Sequence, residues 1–156
     1  MDLDALKAVG LTAAKQGGKI LGSRFGNIFR VEKKGAIDLV TEADTECEAA
    51  VIRTIRSEYP DHGILAEESG RNPGESPCQW IIDPLDGTTN FFHGLPIFSV
   101  SIALAYQNQV VLGIVFNPAS GELFSATTGQ GAFLNDHPVR VTATRDISES
   151  LLVTGF

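Results

Sequence analysis

In the segment Trp80-Ile81-Ile82-Asp83-Pro84-Leu85-Asp86-Gly87-Thr88-Thr89-Asn90-Phe91, a short apolar run ends in two carboxylates, with hydroxyls and an amide directly after them. Residues 80–82 read as a buried strand that delivers Asp83 to its carboxyl end. Pro84 fixes the backbone and Gly87 permits a sharp turn. Thr88, Thr89 and Asn90 then offer side-chain donors and free backbone N–H groups where a helix can begin, an arrangement that attracts anions. Two acids just ahead of such a site would repel a phosphate. A hard cation held between them removes that conflict. Carboxylates and a loop carbonyl such as that of Leu85 make an all-oxygen donor set, which suits Mg²⁺, Mn²⁺ or Ca²⁺ better than zinc. The segment therefore predicts metal-assisted phosphoryl chemistry, although each residue alone also fits a polar turn with a helix cap.

Two further acids could join this site. Glu67-Glu68 closes the apolar run Gly63–Ala66. Neighbouring strand side chains point to opposite faces, so only one of the pair is expected to enter a shared site. Asp38 stands among apolar neighbours in Ile37-Asp38-Leu39-Val40-Thr41; a turn or cap role competes with a catalytic one, because Asp favours such positions.

The elements that must position these acids are legible around them. Residues 2–25 read as a helix with Leu3, Leu6, Val9 and Ala13 on one face. Gly10, Gly17 and Gly18 weaken it and point to close packing. A second helix is expected with Thr41 as its cap and Asp44 in the capping-box position. Its apolar stripe is Cys47, Val51 and Ile55, and Pro60 follows its end. Strands follow at 63–66 and 80–83. Val100–Tyr106 and Val110–Phe116 flank Gln107-Asn108-Gln109 as a hairpin, and a turn at 117–121 leads to a strand at 123–126. A last apolar run, Leu151–Thr154, reads as one more strand. Helices first and strands afterwards predict an α+β or layered αβ fold rather than strict βαβ alternation.

With 43% hydrophobic and 20% charged residues, the 156-residue chain has the composition of a globular domain. Twelve basic against nineteen acidic residues leave a net charge of −7, ill suited to gripping nucleic acid. No apolar stretch is long enough for a membrane span and no signal peptide is evident, so a cytoplasmic protein is expected. Cys47 and Cys78 are too few for a disulfide framework. His62, His93 and His137 lack ligand spacing and read as solvated or capping residues. Phe91, Phe92 and Phe98 are expected to pack beneath the acidic loop.

Taken in order, Asp38-Leu39-Val40-Thr41 with Asp44, Pro60-Asp61-His62, Glu67-Glu68-Ser69, the 80–91 segment and Gly129-Gln130-Gly131-Ala132-Phe133 with Asn135 resemble the inositol monophosphatase family of lithium-sensitive, magnesium-dependent phosphatases. The resemblance implies a layered αβ sugar-phosphatase fold, here two helices on a mainly antiparallel sheet. It implies that residues 1–156 form the metal- and phosphate-binding N-terminal half, with the family's C-terminal domain outside this chain. Glu67, Asp83 and the Leu85 carbonyl would hold a first metal, and Asp83 and Asp86 a second. Gly87, Thr88 and Thr89 would bind the phosphate. Thr88, linked to Asp38, would orient and deprotonate the attacking water, which places Asp38, Thr88 and Glu67 among the catalytic residues.

The implied cofactor is Mg²⁺, with Mn²⁺ as a substitute and Ca²⁺ and Li⁺ as inhibitors. The implied partners are a small phosphate ester and, in the full-length protein, a second copy of the chain; neither nucleic acid nor membrane is expected. Two other readings compete. One is a non-catalytic family member that acts through protein partners. The other is a haloacid-dehalogenase-type phosphatase, whose two acids would lie one residue apart, whereas Asp83 and Asp86 have two residues between them.

Overall fold

A computed structural model describes residues 1–26 and 33–153, the side chains of residues 33–41 excepted. Asp2 starts helix α1 (Leu3–Arg24) by accepting bonds from the backbone N–H groups of Asp4 and Ala5, which satisfies two of the donors a helix start leaves unpaired. The buried face of α1 is built from small residues as well as Leu6 and Leu21. A Cβ on Gly17 would lie 2.7 Å from Cys47 Sγ, and one on Gly10 would lie 2.6 Å from Ile114 Cδ1. Glycine at these points lets α1 settle directly on its neighbours, as the sequence suggested.

Helix α2 runs from Lys33 to Glu58. Thr41 is therefore inside the helix and is not its cap, because the helix starts nine residues earlier than the capping pattern implied. The stripe Cys47, Val51 and Ile55 is fully buried, as expected. Helices α1 and α2 pack on each other, and together they cover one face of a single sheet.

That sheet has eight strands in the order β2-β1-β3-β4-β5-β6-β7-β8: β1 (Gly63–Ala66), β2 (Gly70–Asn72), β3 (Cys78–Asp86), β4 (Ser99–Tyr106), β5 (Gln109–Asn117), β6 (Glu122–Thr127), β7 (Gly131–Leu134) and β8 (His137–Val139). Only β1 and β3 run parallel; every other pair is antiparallel. The mainly antiparallel layered fold is the expected one, with a short third helix, α3 (Thr88–Phe92), added to the two foreseen.

The β4–β5 turn uses Gln107 (φ 50°) and Asn108 (φ 64°), the left-handed pair that suits a two-residue hairpin. Leu151, Leu152 and Val153 are exposed and form no strand, so the strand expected at the end is absent from the described residues. Thr154 lies outside them.

Trp80 anchors the core of β3. It is fully buried, and its Nε1–H donates to His62 Nδ1 at 3.0 Å. His62 in turn stacks on Tyr59 at 4.6 Å between ring centres. This corrects the reading of His62 as solvated: it is a buried acceptor that satisfies the indole, and burial pulls its pKa below the usual histidine value. Among the described residues no helix is long and apolar enough to cross a membrane.

Candidate metal and phosphate site

Strand β3 changes character at Asp83. Up to Ile82 it alternates regularly, with Cys78, Trp80 and Ile82 buried. Then its register against β4 shifts: Asp83 pairs with Ser101, but Asp86 pairs with Ser99. Three steps along β3 are matched by two along β4, which is a bulge. In a regular strand Asp83 and Asp86, three residues apart, would face opposite sides. The extra residue resets that phase and lets both acids serve one side. Pro84, which has no N–H to give a ladder, sits within the irregularity. Its carbonyl accepts the Cys47 thiol at 3.2 Å, which ties the bulge to α2.

Past the bulge the loop is fixed by its own polar groups. The Leu85 N–H donates to Asp83 Oδ1 at 3.2 Å, and Thr88 Oγ1 donates to the Leu85 carbonyl at 3.0 Å. Gly87 has φ 91°, and a Cβ there would lie 2.8 Å from the Ile97 carbonyl oxygen. Phe91 and Phe98 meet edge to face at 4.8 Å beneath the loop, as expected.

Glu67, just beyond β1, reaches the same place. Its N–H continues the parallel pairing to the Ile82 carbonyl at 3.1 Å, and its carboxylate stands close enough to Asp83 to raise that group's pKa. Burial, the Glu67 carboxylate beside it and the charge of Asp86 push the Asp83 carboxyl up to about 6. A carboxyl raised in this way reports like charges held close together. It marks a place where negative charge is crowded and a cation would be favoured. Asp83, Glu67 and Asp86 are thus brought together, with the Leu85 carbonyl in the same loop.

Two residues that the sequence reading assigned no role in the site belong to its electrostatics. Asp44 on α2 is only 6% exposed, and its Oδ1 has no hydrogen-bond partner. Burial and the charges of Glu68, Glu67, Asp83 and Glu48 push it up to about 7. Glu48, one turn further along α2 and also buried, receives the N–H groups of Glu68 and Ser69 at 2.8 and 2.9 Å. It holds the turn that carries Glu67. A signal for both was present: Asp44 and Glu48 share the helix face of the apolar Cys47–Val51–Ile55 stripe, where an acid without a task is costly.

Glu68, to which the resemblance gave no role, still contributes its charge to Asp44. Asp38 lies on α2, but its side chain is outside the described residues. Its link to Thr88 therefore stands as an expectation, and the bond seen for Thr88 goes to Leu85.

These residues fit hard divalent cations. The donors are all oxygens, the carboxylates repel one another, and a buried carboxylate oxygen remains unpaired beside them. Among the described residues no three acidic, histidine or cysteine side chains already close around one point.

The inositol monophosphatase family pattern matches residues 2–156. The chain belongs to that family. It is 45% identical over 151 residues to a protein of Haemophilus influenzae named Nus factor SuhB, covering 95% of this chain and 57% of that protein. It is also 45% identical over 157 residues to an inositol-1-monophosphatase of Synechocystis, covering 99% of this chain and 55% of that one. The solved structure of inositol monophosphatase from Anabaena (Nostoc) superposes with a TM-score of 0.83 at 36% identity, over 96% of this chain and 54% of that chain. The chain thus spans about half the length of the relatives it matches. Membership in this family replaces the haloacid-dehalogenase alternative.

Proposed function

We propose that the protein hydrolyses a phosphate monoester of a small polyol, inositol 1-phosphate or a related sugar phosphate, in the cytoplasm and with Mg²⁺ as cofactor. The observation that carries this reading is the convergence of Glu67, Asp83 and Asp86 at a bulged strand end, in a chain of this family. Residues 1–156 act as the metal- and phosphate-binding part. Glu67, Asp83 and the Leu85 carbonyl hold one cation, and Asp83 with Asp86 a second; Mn²⁺ substitutes, while Ca²⁺ and Li⁺ inhibit. Divalent cations, when bound there, supply positive charge for the phosphoryl oxygens and acidity for a water nucleophile at neutral pH.

The chain's own groups do the rest. The backbone N–H groups of Gly87 and Thr88, with Thr89 beside them, receive the phosphate oxygens, since none of these N–H groups is a ladder donor. Thr88, fixed on the Leu85 carbonyl, orients the attacking water. Glu67 supports that water from the other wall, and Asp38 is the partner that the family resemblance gives to Thr88. The full-length protein works as a homodimer in this reading.

A second reading is favoured by the relatives named Nus factor SuhB: the protein acts through a protein partner and turnover is secondary. An assay of the full-length protein with inositol 1-phosphate separates the two. Hydrolysis that appears with millimolar Mg²⁺ and disappears with a chelator supports the phosphatase. No turnover under any divalent cation, with a stable protein complex instead, supports the second reading.

A further inference from the structure

The two segments that carry the acids part company at the edge of the ladder. The parallel pairing of β1 with β3 ends where the Glu67 N–H meets the Ile82 carbonyl. Beyond that point one segment turns through Glu68 and Ser69 towards β2. The other enters the bulge at Pro84 and Leu85, to which the register gives no partner on β4. Among the described residues, no further ladder pairing sets the turn that carries Glu67 against the bulge that carries Asp83 and Asp86.

Adjacent residues of α2 meet both segments. Glu48 accepts the N–H groups of Glu68 and Ser69 on the turn. Cys47 donates its thiol hydrogen to the Pro84 carbonyl at 3.2 Å on the bulge. The polarities match what each segment lacks: the turn has N–H groups to satisfy, and the buried Pro84 has only a carbonyl to offer. The sulfur is itself held in place. It is fully buried and fills the space that Gly17 of α1 leaves open, where a Cβ would come within 2.7 Å of Sγ. Burial first, then the charges of Asp44, Glu48 and Asp83, push the thiol up to about 12. The sulfur therefore keeps its hydrogen and acts as a donor, not as a metal ligand.

We propose that Cys47 is a positioning residue for the cation site. Through Pro84 it sets how the bulge with Asp83 and Asp86 stands against the turn with Glu67, which the neighbouring Glu48 holds. Helix α2 thereby gauges the gap between two segments that the sheet no longer joins. Groups that orient metal ligands from behind tune cation affinity without touching the cation. The inference rests on the metal reading above. It goes beyond that reading in giving a part in cation affinity to a buried thiol outside the donor set.

The test is Mn²⁺ binding by the full-length protein, read from the EPR signal of free Mn²⁺, with the melting temperature in a chelator measured alongside. Cys47→Ala removes the donor and should weaken the tighter Mn²⁺ site about threefold, the scale of one bond from a weak donor. Cys47→Ser returns an O–H to the same place and should bind Mn²⁺ as tightly as the wild type, although it too loses the packing of the sulfur. Cys47→Val fills the space beside Gly17 without a donor, and its affinity should follow that of the Ala variant whatever its melting temperature. Affinity unchanged in the Ala and Val variants, or lowered equally in all three, overturns the role of Cys47 and leaves the cation site standing. A wild type that binds no Mn²⁺ overturns both.

Discussion

The two halves of strand β3 obey opposite rules. From Cys78 to Ile82 the strand alternates, pairs on both sides and buries Trp80 with its indole N–H satisfied by His62. From Asp83 to Asp86 it bulges, contains a proline and gathers carboxylates whose charges oppose one another. The first half stabilises the fold. The second is held to the first by the β3–β4 pairing and to α2 by the Cys47–Pro84 bond. The carboxylates thus gather directly beyond the most regularly paired and buried stretch of β3.

The largest expected effect lies in the stable half. Trp80→Ala removes the biggest fully buried side chain and strands the His62 acceptor. It should cost about 3–5 kcal/mol in urea unfolding. If it cost under about 1 kcal/mol, the rigid-support half of the comparison would be wrong.

Next comes Asp83→Asn. Activity of the full-length protein should fall at least about 100-fold, about 2.7 kcal/mol of transition-state stabilisation. In a chelator the same variant should melt higher than the wild type, because one member of a repelling pair has become neutral. Opposite signs for function and stability are the mark of this half. A variant that lost both would show that Asp83 is a structural residue.

Regular elements could be read from the sequence because their causes are local. The α1 start at Asp2, the strands β1 and β4 to β6, and the buried Cys47–Val51–Ile55 stripe all follow from periodicity and turn chemistry. Two kinds of feature could not be read this way. The start of α2 was displaced, because Thr41 and Asp44 mimic a capping box inside a longer helix. The roles of Asp44, Glu48 and His62 depend on what packs against them from distant segments: the turn at Glu68-Ser69 in one case and Trp80 in another. The acids Glu67, Asp83 and Asp86 were legible as candidates from type and spacing alone. The bulge that turns Asp83 and Asp86 to one side was not, since it is a property of the β3–β4 register.

Glu48 joins the two halves, and breaking it should have an intermediate effect. Glu48→Ala leaves the N–H groups of Glu68 and Ser69 without their acceptor, at a cost of about 1–3 kcal/mol. It also frees the turn that carries Glu67. The Mg²⁺-induced rise in melting temperature should therefore shrink in this variant, and a full rise would show that Glu67 holds its place without Glu48.

The sharpest of these tests concerns pH in the chelated protein. Asp44 has its ordinary value of 3.8 when the chain is unfolded and about 7 when folded. The folded state therefore binds the proton more tightly, and protonation favours folding. The penalty from Asp44 is full above pH 7 and fades as pH falls through 7 towards 3.8. His62 works against this in an overlapping range. Its pKa is lowered by folding, so the stability it contributes is lost as pH drops below its unfolded value of 6.5.

A plain melting curve against pH would mix the two, but the difference between wild type and Asp44→Asn cancels His62. That difference should show the variant as more stable at pH 8, with the gap closing as pH falls towards 5. Saturating Mg²⁺ should narrow the gap at pH 8, since a bound cation offsets the repulsion from Glu67 and Asp83 that raises Asp44. A gap that stayed constant across this range would mean that Asp44 is fully ionised in the fold, and the crowding of charge at the end of β3 would lose its clearest witness.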